Sequence, residues 1–439
     1  MTRTVASIAA ALALALAFVL ASDAAAPLLS APAKYAATDE PGDIVVRDFN
    51  RDGIPDAAIV GYDPGTLAIL LGQGGGRFGA PTTYPAQPRA VGLAAGDVNG
   101  DGNVDLLVGT QSTNSVQVFL GDGSGHFTAG LPVVTGQAPN APVLADLNGD
   151  GKLDLVTGNA DVQYVTVMMG NGDGTFTLKH TFTGDRASSV AVADFNGDGK
   201  LDLAVAEYSL DTPSVVSVML GQGGGDFGPA REFATGGDPV SVVAADVDGD
   251  GKLDLVTSDF DSLDVAVLRG RGDGSFQAPR FFRVGGESGD VAVADVDGDG
   301  HLDLLATDSV GVTVLPGLGG GRFGPRAKYR TGFLADSVAV APSGGSHPDV
   351  LVTNFGDDEL AVLTNQTTRT PACVVPDVYR LRLATAKRVI RSRGCRVGSV
   401  RKVRSRKVPR GRVAVQAPDA EVVVRAGTRV RLGVSRGRH

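Results

Sequence analysis

The sequence repeats one acidic nine-residue segment six times, at a spacing near 49 residues. Each copy reads Asp-x-Asp/Asn-x-Asp-Gly-x-x-Asp, and the copies begin at Asp48, Asp97, Asp146, Asp194, Asp246 and Asp295. A seventh, degenerate copy covers residues 341–349 and retains only its final residue, Asp349. A period of this length is typical of a supersecondary unit that buries its apolar side against its neighbours. We therefore expect an array of seven similar units.

Short apolar runs surround every acidic segment. In the fourth unit, residues 189–193 lead into the segment and residues 201–206 leave it. A third run, residues 215–220, precedes a glycine-rich turn, and a weaker fourth run covers residues 231–235. Valine- and leucine-rich runs bounded by Gly, Asp and Asn are typical of antiparallel strands. Four strands in a 40–50-residue period indicate a blade of a β-propeller, so the predicted fold class is all-β, a seven-bladed β-propeller.

The two ends of the repeat region predict how the ring closes. The seventh unit stops after its third apolar run, residues 360–364. Residues 31–37 (Ala-Pro-Ala-Lys-Tyr-Ala-Ala) are similar to residues 324–330 (Gly-Pro-Arg-Ala-Lys-Tyr-Arg), which precede the seventh unit. We expect residues from about 30 to 38 to supply the outer strand of the last blade. That arrangement would remove an open sheet edge.

The acidic segments have the composition of calcium loops. Ca²⁺ takes six to eight hard oxygen ligands in a flexible cage, and a glycine at position 6 permits the sharp turn that such a loop needs. Positions 1, 3, 5 and 9 offer side-chain oxygens, and position 7 would offer its backbone carbonyl, which explains its varied identity. About six Ca²⁺ sites are predicted, with the seventh copy empty. The predicted ligands are Asp48, Asn50, Asp52, Ile54 and Asp56; Asp97, Asn99, Asp101, Asn103 and Asp105; Asp146, Asn148, Asp150, Lys152 and Asp154; Asp194, Asn196, Asp198, Lys200 and Asp202; Asp246, Asp248, Asp250, Lys252 and Asp254; and Asp295, Asp297, Asp299, His301 and Asp303.

Two alternatives compete with this interpretation. An EF-hand loop needs a bidentate glutamate at position 12 and flanking helices. Here the flanks are strand-like, and position 12 holds Ile59, Val108, Thr157, Val205, Thr257 or Ala306. Asp, Asn and Gly also form good turns without any metal. Aspartate is kept at positions 1, 5 and 9 in all six copies, which favours a metal-binding role.

The repeats resemble the FG-GAP/VCBS repeats of integrin-α-like propellers. Besides the acidic loops, the resemblance rests on the Phe-Gly and Gly-Pro turns at residues 78–81, 227–229, 276–279 and 323–325. It implies that calcium ions brace the blades on one face and that ligands bind loops on the opposite face. Those loops carry aromatic and acidic residues, such as Tyr62, Asp63, Phe260 and Phe355. An unknown protein or carbohydrate ligand is expected there.

Charge divides the chain into two modules. Residues 371–439 contain 19 Lys/Arg and 3 Asp/Glu, a net charge of about +16, whereas the remainder contains 21 and 46, a net charge of about −25. The acidic part suits cations and the basic part suits an anionic surface. The only cysteines, Cys373 and Cys395, lie in the basic part. Export would permit a disulfide between them, although nothing in the sequence requires one.

The N-terminus is typical of an export signal. Arg3 precedes an apolar stretch of about 13 residues, Ile8 to Leu20, and small residues follow at 22, 24 and 26. This stretch is shorter than the ~20 residues that a membrane span needs. We predict a signal peptide over residues 1–26, no transmembrane segment in the mature chain, and a secreted, extracellular protein associated with the cell wall.

The basic part has the pattern of a small α+β module. A helix is predicted from about residue 383 to 393, followed by strands near residues 396–403, 412–416 and 429–435. The sequence resembles a PASTA domain, and the matching segments are residues 375–378, 386, 394, 397–398, 408–411, 416–418, 427–428 and 434–437. The segment Asp419-Ala-Glu421 departs from the family, which usually turns there with a glycine. The resemblance implies contact with cell-wall polymer or peptidoglycan fragments.

These features define the predicted organisation: a signal peptide at 1–26, the propeller at 27–366, a linker at 367–372 and the PASTA-like domain at 373–437. The sequence contains no singular catalytic constellation, so the predicted function is non-catalytic, calcium-dependent binding or adhesion at the cell envelope. Nucleic acid is not an expected partner. Two alternatives stay open: a secreted enzyme or enzyme subunit with its site on the propeller face, and a purely structural wall component.

Overall fold

The computed structural model describes residues 27, 29–160, 164–183, 186–208, 213–287, 289–342, 347–367, 373–374, 378–392, 396–405, 407–417, 423–424 and 429–437. The predicted signal peptide, residues 1–26, therefore lies outside the described residues. The chain divides into two compact units, residues 1–367 and 368–439. No helix in the described part of the chain is long and apolar enough to cross a membrane.

Seven antiparallel sheets make up the described part of the first unit, and we number them as blades 1–7. Each contains four strands in chain order, except that blade 2 gains a fifth strand and blade 7 borrows one. The strands are Pro41–Arg47, Asp56–Gly61, Thr66–Leu70 and Thr82–Pro85 in blade 1; Ala90–Gly96, Asp105–Thr110, Ser115–Gly121, Phe127–Ala129 and Val133–Val134 in blade 2; Pro139–Ala145, Asp154–Asn159, Tyr164–Gly170 and Phe176–Thr183 in blade 3; Arg186–Ala193, Asp202–Tyr208, Val215–Met219 and Arg231–Ala234 in blade 4; Pro239–Ala245, Asp254–Asp259, Asp264–Leu268 and Arg280–Arg283 in blade 5; Val291–Ala294, Asp303–Asp308, Gly311–Leu315 and Ala327–Arg330 in blade 6; and Ala335–Ala341, Asp349–Asn354, Glu359–Leu363 and Ala33–Ala36 in blade 7.

Two of the glycine-rich turns after the third strand form small hairpins that the sequence did not predict. Gly72–Gly74 pairs with Arg77–Phe78 in blade 1, and Gly221–Gly223 pairs with Asp226–Phe227 in blade 4. Both turns place three glycines in the left-handed region, for example Gly74, Gly75 and Gly76 at φ of 78°, 62° and 70°. Residues with a side chain rarely adopt this backbone conformation, which explains the Gly-Gly-Gly runs.

The second strand of each blade is the most deeply buried element. Asp56–Gly61, Asp254–Asp259 and Asp349–Asn354 are buried at every residue. A strand covered on both faces reads as a continuous apolar run instead of an alternating one. The neighbouring blades provide that cover.

The core is a ring of seven apolar clusters, each lying between two successive blades. The cluster between blades 1 and 2 includes Leu67 and Leu106, and the cluster between blades 4 and 5 includes Val216 and Leu255. The remaining clusters follow the same rule, and the last joins blade 7 to blade 1 through Leu351 and Ile59. The first strands of successive blades also contact one another, including those of blades 7 and 1. The first unit is therefore a closed, propeller-like ring.

The predicted closure by the N-terminal segment is confirmed. Ala33–Ala36 pairs antiparallel with the third strand of blade 7, with Ala33 opposite Val362 and Ala36 opposite Glu359. The ring of Tyr35 packs edge-on against that of Phe78 in blade 1, with centroids 5.8 Å apart. The closing strand thus contacts both blades that meet at the junction.

The second unit is a small α+β fold. Its helix, Leu383–Ser392, packs against a three-stranded sheet in the order Arg396–Val403, Arg429–Ser435, Val413–Ala417. Cys373–Val374 pairs with Val423–Val424 in a separate two-stranded sheet. The core contains Ala386, Ile390 and Leu432. These elements match the predicted helix and strands, while Cys395, one partner of the possible disulfide, lies outside the described residues.

Candidate metal sites

Each acidic loop connects the first and second strands of its blade, and it is curled by hydrogen bonds to its own carboxylates. In the fifth loop, Asp246 Oδ1 accepts the N–H of Gly249 at 2.7 Å and Oδ2 accepts that of Gly251 at 2.8 Å. Asp248 Oδ1 accepts the N–H of Asp250 at 3.1 Å, and Asp250 Oδ1 accepts that of Lys252 at 3.0 Å. The other five loops repeat these bonds with small variations. The aspartate and asparagine side chains at positions 1, 3 and 5 therefore line the inner side of one tight turn.

Position 9 has a different environment. Its aspartate is 0% exposed in all six loops. In the fifth loop, Asp254 Oδ2 accepts the N–H of Val247 at position 2, and Oδ1 accepts that of Gly270 beyond the third strand, at 3.1 and 2.8 Å. The same pair of bonds occurs in every complete loop. The sequence did not predict this second role, because the glycine partner lies 14–19 residues downstream.

Two of the loops gather three carboxylates each. In the fifth loop these are Asp246, Asp248 and Asp254, and in the sixth they are the equivalent Asp295, Asp297 and Asp303; their oxygens lie within 4.8 Å of one another. The first four loops have asparagine at position 3 (Asn50, Asn99, Asn148 and Asn196), so they offer an amide oxygen there. Oxygen-only donors at this spacing fit a hard cation such as Ca²⁺.

Burial, and to a smaller extent neighbouring negative charge, favours the protonated form of these carboxyl groups. Burial raises the pKa of Asp303 to about 7 and that of Asp254 to about 6, and the neighbouring carboxylates add to both shifts. Burial likewise raises the pKa of Asp297 to about 6, with Asp299 contributing. Like charges held close together favour protonation unless a cation offsets them. The three-carboxylate groups of the fifth and sixth loops could hold a cation, and its binding would require ionised carboxylates.

The predicted ligands at positions 5 and 7 do not belong to these three-carboxylate groups. Asp250, at position 5, is exposed, and its Oδ2 lies 3.6 Å from Lys252 Nζ. The position-7 side chains Lys152, Lys200, Lys252 and His301 are exposed. An exposed side chain is compatible with the expected role of position 7 through its backbone carbonyl.

The loops also contact the next blade. The carbonyl at position 2 accepts an N–H from the glycine turn of the following blade: Phe49 from Gly125, Val98 from Gly174 and Phe195 from Gly274, at 3.0–3.2 Å. An ion held by a loop would therefore stiffen a segment that joins two blades.

The opposite ends of the first strands contain acidic residues that the sequence pattern does not indicate. Asp43 Oδ2 accepts the N–H of Leu93 in blade 2 at 2.8 Å, and Asp290 Oδ2 accepts that of Val338 in blade 7 at 3.1 Å. The hydroxyl of Ser337 bonds to both carboxylates, at 3.3 and 2.8 Å. Burial raises the pKa of Asp43 to about 7, and the Asp290 charge adds to the rise. These residues occur in single blades, so no repeat pattern drew attention to them.

Of the predicted ligand loops on that face, the described parts contain one aromatic contact between blades. The rings of Tyr62 in blade 1 and Phe355 in blade 7 have centroids 6.3 Å apart. Arg89 Nε donates to the Tyr62 hydroxyl at 2.9 Å.

The second unit presents a basic surface. Most of its described Lys and Arg side chains are exposed: Arg380, Arg382, Arg388, Arg391, Arg396, Arg401, Lys402, Arg404, Lys407, Arg410, Arg429, Arg431 and Arg436. Positive charge on one small domain suits a polyanionic partner.

Fold and site together define the class: a closed, propeller-like β-protein whose blades carry acidic loops, two of which could hold a metal ion. Comparison with protein families agrees. The FG-GAP-like repeat matches residues 48–108, 97–157, 146–205, 194–257 and 247–306, and the chain belongs to this family. The PASTA domain matches residues 374–436. Both resemblances predicted from the sequence are confirmed.

Solved structures share the fold at low sequence identity. BBS1N in complex with ARL6DN is 11% identical, with a TM-score of 0.55, and covers 78% of this chain and 98% of that one. Kuenenia stuttgartiensis hydrazine synthase is 13% identical, with a TM-score of 0.55, and covers 76% and 98%. No curated protein matches the chain. Identities this low indicate a shared fold alone.

Proposed function

We propose that this protein is an exported, non-catalytic binding protein of the cell envelope. Calcium would hold its propeller rigid, and its PASTA-like unit would contact the cell wall. The observation that carries the proposal is the difference in charge between the two units. One has acidic loops arranged as cation sites, and the other has more than ten exposed cationic side chains on a domain of about 70 residues.

Several observations support a structural role for the calcium. The loops recur in six of seven blades, and in three of them the position-2 carbonyl accepts a backbone hydrogen bond from the glycine turn of the next blade. A ligand-binding ion would be expected at a single site that breaks the symmetry. The ligand of the propeller is therefore assigned to the opposite face, where the loops differ between blades, and it is a protein or carbohydrate.

A sedimentation assay on purified peptidoglycan tests the wall contact. Full-length protein and a variant that lacks residues 371–439 are mixed with insoluble peptidoglycan in 1 mM CaCl₂, and the bound fraction is measured. We expect binding by the full chain and its loss on deletion. Equal binding by both proteins would refute the anchoring role.

A salt series and a competitor separate the two physical modes of contact. Purely ionic adhesion of a basic surface weakens steeply with salt, because charges separated by more than ~8 Å are screened at 0.15 M. Soluble muropeptide would compete only against a specific site. Binding that persists at 0.5 M NaCl and is displaced by muropeptide indicates recognition of the peptidoglycan fragment itself.

A further inference from the structure

The apolar residue at position 2 of each complete loop plugs the junction between two blades. These six side chains are at most 6% exposed, and each belongs to the cluster that lies between its own blade and the next. The plugs are Phe49, Val98, Leu147, Phe195, Val247 and Val296. They fill six of the seven junctions.

At the seventh junction, between blades 7 and 1, the described residues provide no such plug. Position 2 of the degenerate loop is Pro342, which is exposed and takes no part in the cluster between these blades. A cleft of about 610 Å³ lies at this junction. Its walls are largely apolar and include Val46, Phe78, Val340 and Leu351. A cavity of this volume falls within the range of small-molecule sites, ~300–1,000 Å³.

The cleft also contains one acidic group with an unused acceptor. Asp349 lines it, is 4% exposed, and accepts a hydrogen bond from Asn365 N through Oδ1 at 2.7 Å. In the six complete loops the other oxygen of this aspartate accepts the N–H of position 2. Proline has no N–H to donate. Among the described residues, Asp349 Oδ2 therefore has no donor, so this oxygen is available to a hydrogen-bond donor in the cleft.

We propose that this cleft binds a small ligand with an apolar ring and one protonated amine, with the ring in place of the missing plug and the amine on Asp349. A buried carboxylate favours a charged donor, since charge-assisted hydrogen bonds are about twice as strong as neutral ones. The aromatic plugs Phe49 and Phe195 show that an equivalent junction accommodates a six-membered ring. Arg47, Arg77 and Asp48 also line the cleft, and the two guanidinium groups would disfavour a second positive charge on the ligand.

The test uses full-length protein in 5 mM CaCl₂ and 4-fluorobenzylamine as the probe, observed by ¹⁹F NMR. We expect saturable binding of the amine. 4-Fluorobenzyl alcohol should bind several-fold more weakly, and 4-fluorobenzoate at least tenfold more weakly. Binding of benzoate as tight as that of the amine, or an amine titration that does not saturate by 20 mM, would overturn the proposal.

Two variants at position 342 distinguish the contribution of the open cleft to binding from that of the Asp349 carboxylate. Pro342→Phe restores both the plug and the N–H, so the amine should bind at least tenfold more weakly while the melting temperature is kept or raised. Pro342→Ala restores only the N–H, so the cleft stays open but the preference for amine over alcohol should largely disappear. Unchanged amine binding by Pro342→Phe contradicts the proposal. If that variant folds poorly, the Pro342→Ala comparison and the ligand series decide.

Discussion

The aspartate at position 9 combines a possible metal ligand with a buried hydrogen-bond acceptor for two backbone amides. In the fourth loop, Asp202 accepts the N–H groups of Phe195 and Gly221, at 2.8 and 2.7 Å. Asp198, at position 5 of the same loop, is exposed and accepts the N–H of Lys200 in its own loop. The two residues should therefore respond differently to calcium removal.

Replacing each of these aspartates by alanine measures the difference. Asp202→Ala leaves two buried amides without an acceptor, and we expect a loss of about 1–3 kcal/mol per amide in the free energy of unfolding, with calcium or with chelator. Asp198→Ala should lower stability only when calcium is present. Urea unfolding in 1 mM CaCl₂ and in excess EDTA provides the measurement. Equal effects of Asp198→Ala in both buffers would argue against a ligand role for position 5.

A second residue-scale prediction concerns Asp259 in blade 5. It is fully buried, accepts hydrogen bonds from Thr257 Oγ1, Thr235 Oγ1 and Gly236 N, and burial raises its pKa to about 7. A folded-state pKa above the unfolded value of ~3.9 means that the folded form binds the proton more tightly. The contribution of Asp259 to stability is therefore largest at low pH and falls as pH rises from about 4 to about 7.

The substitution Asp259→Asn removes that titration. Its melting temperature relative to the parent protein should increase between pH 5 and pH 8, measured by circular dichroism in 5 mM CaCl₂. Asp122→Asn is the control: hydrogen bonds from Ser124 lower the pKa of this exposed carboxyl, so its titration is complete below pH 5 and its difference from the parent protein should stay constant from pH 5 to pH 8. A pH-independent difference for Asp259→Asn would contradict the assignment.

Among the secondary-structure elements, we expect the short closing strand Ala33–Ala36 to contribute the most to the stability of the ring relative to its length. It pairs with the third strand of blade 7, and Tyr35 packs into the cluster shared with blade 1. Lys34 Nζ lies 2.5 Å from Glu359 Oε2, but this pair is partly exposed. The backbone pairing and the Tyr35 ring should therefore matter more than the ion pair.

Three changes to this strand rank these contributions. Deletion of residues 28–40 should lower the melting temperature sharply, because it opens a sheet edge and uncovers the junction. Tyr35→Ala should have an intermediate effect. Lys34→Ala should cost less than about 1 kcal/mol, as exposed ion pairs usually do. An unchanged melting temperature after the deletion would contradict the closure mechanism.

The elements also show how far sequence reasoning reaches. Strand positions, the closing segment and the helix Leu383–Ser392 follow from local pattern and repeat alignment. The pairing of Cys373–Val374 with Val423–Val424 does not, since short strands are fixed by a remote partner. The repetition of the acidic loops predicted a metal-binding role from the sequence alone. Their position-2 plugs and the cleft beside Pro342 became visible only when adjacent blades were placed together.

At the scale of the whole molecule, the main prediction is the dependence of the propeller on calcium. A site with Kd of ~10⁻⁴ M at ~1 mM calcium adds about 1.4 kcal/mol. Six such sites would be comparable with the total stability of a typical domain, ~5–15 kcal/mol. Excess EDTA should therefore lower the melting temperature of the first unit substantially, and added CaCl₂ should restore it. MgCl₂ is the control, because Mg²⁺ dehydrates reluctantly and suits an all-protein cage poorly. Identical melting in calcium and in EDTA would exclude the structural role.

The pairing of Ala33 with Val362 also imposes an order of events on folding. Most strand pairs in the ring join neighbours in sequence, and they can form as each stretch of chain becomes available. The closing pair spans more than 300 residues, so it cannot form until almost the whole first unit has been synthesised. Contacts of such long range are slow to form. For a chain that is threaded across a membrane, the ring would be completed only after translocation, in the compartment where calcium is abundant.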